Sequence, residues 1–298
     1  MNYKTFKEEV YDLIKQKVGD ECEVSLRRIR KNNDVVLDGL TLRKEHDTIS
    51  PTIYLNHYYK SYLTGDCLDQ IVTEIMELYD ENYEQADMDT SFFSNYECVK
   101  ERIVFKIIHY NQNKILLNSI PHIKFLDLAI VFYYLVQSEQ FGNATILIYN
   151  SHLELWGKES YEIFQVAKVN SQRLLQYKVS HIEDILKEEL DEELWPEIEE
   201  GDIPMYVLTN HTKLNGAACM LYPEVLKDFS LAVGSDLYLL PSSVHEIIII
   251  PKSNSTRVNE LKAMVKDTNE NHVEKEEILS YSVYEYLREE DRLHISLG

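Results

Sequence analysis

A chain of 298 residues, 44% hydrophobic and with a formal charge of −21, is long enough for about two domains and apolar enough for a sizeable core. That charge disfavours direct nucleic-acid binding, which depends on Lys and Arg displacing counterions from phosphates. The most apolar run, 120–136, is interrupted by His122, Lys124 and Asp127, so no segment is expected to cross a membrane.

In chain order, Phe6, Val10, Leu13 and Ile14 recur at helical spacing and predict an amphipathic helix over 3–18, closed by Gly19. This opening has no signal-peptide core or small-residue cleavage site, so a cytoplasmic protein is expected. Cys22, Val24 and Leu26 then alternate, Lys31 to Asp34 supplies turn residues, and 35–43 is extended, which reads as a β-hairpin. The cluster Arg27, Arg28, Arg30 and Lys31 sits at the end of the first strand. It reads as a solvated edge that discourages strand pairing, being too short for a nucleic-acid footprint.

A short extended piece at 50–54 leads into a tyrosine-rich helix over 55–63, and Leu68, Ile71, Val72, Ile75 and Tyr79 mark a helix over 67–83. A strand is predicted at 99–110, a nearly all-apolar central strand at 125–136, another strand at 144–149, then helices from Ser151 and over 158–177. Between 183 and 202 eleven Asp and Glu stand against Lys187 alone, the natural place for a connection between two halves. The stretch 204–251 reads as strand, turn, strand, helix, strand, strand. A helix at 256–269 and a closing hairpin around Glu289 to Asp291 complete the chain.

Laying 132–156 over 205–229 gives a gapless self-similarity at an offset of 73 residues. Tyr133 falls on Tyr206, Leu135 on Leu208, Ala144 on Ala217, Tyr149 on Tyr222, Leu153 on Leu226 and Trp156 on Phe229. Each copy reads as a hairpin followed by a covering helix, with Pro223 suited to the first turn of the second helix. The expected fold is therefore α+β: two related halves with mainly antiparallel sheets flanked by helices, divided into 1–177, an acidic connecting segment 178–203, and 204–298.

The stretches LDGL (37–40), PHIKFLDLA (121–129), NGAACMLYPEVL (215–226) and GSDLYLLPSSVHE (234–246) resemble a family of uncharacterised proteins from gut Firmicutes, grouped as a domain of unknown function. The resemblance spans nearly the whole chain. It implies a bacterial, intracellular protein and brings no activity or catalytic residues.

Cys22, Cys67, Cys98 and Cys219 form no CxxC pair, and the ten His offer no HExxH, so no metal is expected and the thiols read as reduced and mostly buried. With nine Gly, no P-loop and no GxGxxG, no cofactor is expected. The polar constellation that stands out is Ser242, Ser243, His245 and Glu246. On a strand Ser243 and His245 share a face, placing a hydroxyl beside a base, while Glu246 points the other way. A strand entrance whose side chains satisfy backbone groups accounts for the same residues, and no GxSxG spacing accompanies them. The leading expectation is a protein-interaction module acting through a Tyr-rich or acidic surface, in its specific version an acidic decoy competing with nucleic acid for a basic partner. The alternative is a hydrolase with its site at Ser243, His245 and Glu246.

Overall fold

Helix formation begins at Asn2, whose side chain accepts the Thr5 amide at 3.0 Å and so satisfies one of the unpaired donors of the first turn. The computed structural model that follows from this start describes residues 1–44, 52–83, 91–136, 145–189, 203–253 and 256–297. The chain divides into two compact units, the first Met1–Ser94 and the second beginning at Asn95.

In the first unit α1 (Tyr3–Val18), α2 (Leu55–Thr64) and α3 (Leu68–Tyr83) pack with the sheet of β1 (Glu23–Arg30), β2 (Val36–Arg43) and β3 (Thr52–Tyr54), ordered β1-β2-β3 and antiparallel. Phe6, Val10 and Ile14 of α1 meet Leu40 and Leu42 of β2 and Ile71 and Ile75 of α3 in one core, the stripe that their spacing predicts. The tyrosines of α2 turn toward that core: Tyr59 lies 5.2 Å and Tyr62 5.5 Å from Phe6, ring to ring. The expected Tyr-rich surface is thus in large part internal packing. Asp38 is buried against Lys7 at 2.9 Å, and Gly39 lies under Ile29 and Thr52, which accounts for the LDGL stretch.

The second unit holds two antiparallel sheets. After α4 (Tyr96–Val99), β4 (Ile103–His109) leads through α5 (Lys114–Leu117) to β5 (His122–Phe125), β6 (Leu128–Leu135) and β7 (Thr145–Leu147). β6 is central, with β4 along one side and β5 and β7 on the other. Its side chains are buried from Leu128 to Tyr134, as expected for a strand covered on both faces. Then α6 (Asn150–Trp156) and α7 (Ser160–Leu174) precede β8 (Tyr177–His181), α8 (Ile182–Glu189), β9 (Tyr206–Asn210), α9 (Val225–Val233), β10 (Leu237–Leu240), β11 (Ile247–Pro251), α10 (Val258–Asn271), β12 (Tyr284–Leu287) and β13 (Arg292–Ile295). The larger sheet runs β13-β12-β10-β11-β9-β8, and α10 buries Leu261 and Val265 on Tyr238, Leu240 and Ile250 of it.

The α+β class and the antiparallel sheets flanked by helices are as the sequence predicts. The division of the chain is not: it falls at Ser94 and Asn95, not within 178–203. The physical reason is strand pairing across the acidic segment, since β8 lies antiparallel to β9 from Tyr177↔Asn210 to His181↔Tyr206. Residues 190–202, most of the acidic run, lie outside the described residues.

The two sequence copies also diverge. Both have a strand and then a helix after a Tyr, but where the first has β7, the second has a 3-10 helix, Gly216–Leu221. Its Gly216, Ala217, Ala218 and Cys219 are buried, small side chains that let a tight helical turn settle against β9. Pro223 stands outside α9, which begins at Val225 after Glu224 in a left-handed conformation.

Candidate functional site

Residues 242–246 connect β10 to β11 as a loop in which Ser243 bridges to Ile278. Because the backbone is not a regular strand, the predicted alternation does not hold. The buried Ser243 hydroxyl accepts the backbone N–H of His245 at 3.0 Å, a local turn bond of the kind Ser favours. His245 turns its ring elsewhere: Nδ1 accepts the Asn215 N–H at 3.2 Å and Nε2 stands 3.5 Å from Glu277 Oε1. A ring that accepts at Nδ1 carries its proton at Nε2 when neutral, so its remaining N–H faces a carboxylate. Glu246 is exposed. The structure therefore brings His245 to Glu277 and Asn215, and leaves Ser243 without an imidazole base.

This loop is a packing junction. The Thr209 hydroxyl donates to the His245 carbonyl at 2.7 Å, the Ala217 N–H to Val244 O at 3.2 Å, and the Val244 N–H to Glu277 O at 2.8 Å. A Cβ on Gly216 would lie 2.5 Å from His245 O and 2.7 Å from Asn210 N. Glycine is thus required where the 3-10 helix meets β9 and the loop, and NGAAC and PSSVHE are two sides of one contact.

Beneath it lies a buried set of titratable groups. The Tyr133 hydroxyl approaches Asn215 and Cys219 without completing a hydrogen bond, and Tyr222 donates to Leu175 O at 3.2 Å. Burial pushes the Cys219 thiol up to about 12, so it is a packed thiol and not a nucleophile at neutral pH. Cys22 is half-buried, whereas Cys67 and Cys98 are exposed, against the expectation of mostly buried thiols. Iodoacetamide at pH 8 is expected to label Cys67 and Cys98 in the folded protein and Cys219 only on unfolding, as read by peptide mass spectrometry. Labelling of Cys219 at the rate of Cys67 contradicts this.

Two polar clusters that no local sequence pattern announces tie the second unit together. Asp127, in the two-residue turn between β5 and β6 with Leu126 at φ 52°, accepts from Ser280 (2.6 Å), Ser282 (2.9 Å) and Tyr284 (2.6 Å). Burial, with the nearby Asp127 carboxylate, raises the Tyr284 hydroxyl well above the usual phenol range. Glu285 is nearly buried between Lys252 and His294, the latter at 3.5 Å, with the Ser296 hydroxyl at 3.4 Å. Both carboxylates are engaged by protein donors. No group of three or more His, Cys, Asp or Glu suited to a metal occurs among the described residues, and no helix among them is long and apolar enough to cross a membrane.

The first unit offers a different kind of surface. β1 is an edge strand of eight residues. The Lys31 N–H to Val35 O bond at 2.7 Å fixes the odd-numbered residues of β1 as those facing β2. The amides and carbonyls of Val24, Leu26, Arg28 and Arg30 consequently point outward, as antiparallel alternation requires. Val24 O is taken by the Tyr11 hydroxyl at 3.3 Å. Among the described residues nothing pairs with the strand beyond that point. β4 shows the contrast: the Phe105 N–H donates to Ser171 Oγ at 3.1 Å and Ile103 O accepts from Asn170 at 2.9 Å, so α7 closes that edge. At the start of β1 a cavity of about 630 Å³ opens among Lys15, Glu21, Cys22, Glu23 and Arg43, lined by both signs of charge.

Among the described residues, this is a two-unit α+β protein whose two clustered carboxylates are engaged by protein donors and whose longest edge strand is β1. The chain belongs to a family of unknown function (DUF5688), whose model matches residues 3–288. No curated protein and no solved structure matches it.

Proposed function

We propose that this is a cytoplasmic bacterial protein-interaction module that receives an extended segment of a protein partner along the outer edge of β1. The observation that carries the reading is the run of outward-facing backbone groups at Leu26, Arg28 and Arg30 on the eight-residue edge. An exposed edge of this length is a template for another strand: main-chain hydrogen bonds supply affinity and alternate side chains supply selectivity. Ser243 and His245 support binding better than hydrolysis, because their polar atoms are committed to backbone groups and to Glu277.

A photo-reactive amino acid at position 28 is expected to capture a discrete protein partner in native cells. The same group at Tyr161, 68% exposed on α7, is not expected to capture it. Adding Arg30→Pro removes one outward N–H while sparing the bonds to β2, and should abolish the adduct. An adduct of equal yield from position 161, or one that survives Arg30→Pro, overturns the reading.

A further inference from the structure

Resting on that reading, we infer that the segment β1 receives is acidic, with two consecutive Asp or Glu residues set against Arg27 and Arg28. On a chain of net charge −21 this edge is locally cationic: Arg27, Arg28, Arg30 and Lys31 follow one another around Ile29. Two of the four are already engaged. Arg30 pairs with Asp34 at 3.2 Å, and the Lys31 ammonium lies 4.1 Å from the centre of the Tyr54 ring. Glu23, the carboxylate on the strand, is held by Arg43 at 2.8 Å. Arg27 and Arg28 are exposed and form no ion pair among the described residues. Asp38, which stands opposite Arg28 in the register, is turned to Lys7.

These charges choose between occupants. Two copies of the same basic edge repel when brought side by side, because like charges directly opposite are destabilising, so a second copy of this chain is disfavoured. An acidic strand gains the same electrostatic term with opposite sign. Charge lying beyond a Debye length of about 8 Å is screened at physiological salt and does little to oppose it.

Geometry sharpens the preference. Successive side chains of a strand point to opposite faces, so Arg27 and Arg28 project from the two faces of the sheet. A partner strand meets both only if adjacent residues of its own are acidic; alternating acids would meet one Arg and miss the other. The Tyr11 hydroxyl on Val24 O stops the added strand at its far end, leaving Leu26, Arg28 and Arg30 to pair with a segment about five or six residues long, at about 3.4 Å per residue.

The test is fluorescence anisotropy of the full chain with three labelled hexapeptides: Thr-Val-Glu-Glu-Ile-Thr, its Gln-Gln counterpart, and the Glu-Glu peptide N-methylated at alternate amides. The Glu-Glu peptide is expected to bind. Gln-Gln should bind roughly 3- to 10-fold more weakly, the scale of two exposed ion pairs, and the N-methylated peptide should not bind. The protein variant Arg27→Gln/Arg28→Gln, which leaves the backbone unchanged, should remove the difference between Glu-Glu and Gln-Gln. Equal binding of Glu-Glu and Gln-Gln, with loss on N-methylation, overturns the acidic preference and leaves the strand-edge reading standing. Failure of the Glu-Glu peptide to bind overturns the preference. Undiminished binding of the N-methylated peptide overturns both. A single-stranded oligonucleotide that binds more tightly than the Glu-Glu peptide and displaces it also overturns the inference, because the edge would then be reading phosphate.

Discussion

Asp127→Ala is expected to destabilise the protein by about 3 to 5 kcal/mol in a urea titration, the largest effect of any single polar substitution among the described residues. The carboxylate accepts three hydroxyl hydrogen bonds, from Ser280, Ser282 and Tyr284. Ser280 and Tyr284 are fully buried. Water does not readily replace the lost acceptor, and a buried donor left unmade costs about 1–3 kcal/mol. The donors come from a segment more than 150 residues later in the chain, so the loss falls on contacts that join the β5–β6 turn to the approach of β12. Asp127→Asn keeps one acceptor oxygen and should cost less, about 1–2 kcal/mol, because the serine hydroxyls can rotate to accept from the new amide. Tyr284→Phe removes a donor and leaves the carboxylate two others, so it should be the mildest of the three. If alanine costs no more than Tyr284→Phe, acceptance of these hydroxyls at Asp127 is not what holds this junction.

Gly216→Ala should cost about 3 kcal/mol, at the upper end of overpacking penalties. The added methyl meets backbone, His245 O at 2.5 Å and Asn210 N at 2.7 Å, as well as the Thr209 hydroxyl. Neither backbone atom can withdraw without breaking the bonds that seat the loop on β9. Gly39→Ala is the internal comparison. There the methyl meets Ile29 Cδ1 and Thr52 Cγ2 at 2.6 Å, both the far ends of side chains that can change rotamer, and about 1 kcal/mol is expected. Chemical denaturation of the two variants side by side decides the matter. A Gly216→Ala protein as stable as Gly39→Ala would mean that the 3-10 helix is free to shift.

Much of the architecture was readable because it is written locally. The helix over Tyr3–Val18 follows from a four-residue apolar rhythm, and the first hairpin from two alternating runs around an Asn-Asn-Asp turn. The closing hairpin β12–β13 likewise announces itself through the alternation of Tyr281, Val283 and Glu285 and of Leu293, Ile295 and Leu297 around acidic turn residues. β8 is not legible in the sequence because Tyr177–His181 has weak alternation and leads straight into an acidic stretch. Its strand character comes from β9, a neighbour in space and not in sequence. The 3-10 helix at Gly216–Leu221 reads as a strand because Ala217 and Tyr222 align with residues in and around a true hairpin. What decides its shape is the absence of side-chain bulk against β9, a tertiary condition. At the site the residue types were visible and their partners were not: Asn215 and Glu277 lie 30 and 32 positions from His245, and the pairing of Ser243 with a backbone N–H depends on a loop where alternation predicts a strand.

The pairing of β8 with β9 has a practical bearing on how this protein can be cut. A fragment beginning at Pro204 would carry β9 stripped of β8, presenting the raw side of the remaining five strands to solvent and inviting self-association. One ending at residue 177 would lose β8 after its first residue. Cleaving the backbone within 190–202 alone is a different operation, since Tyr177–His181 and Tyr206–Asn210 would remain laced to each other on either side of the break. Cohesion across this break thus belongs to the paired strands that flank it.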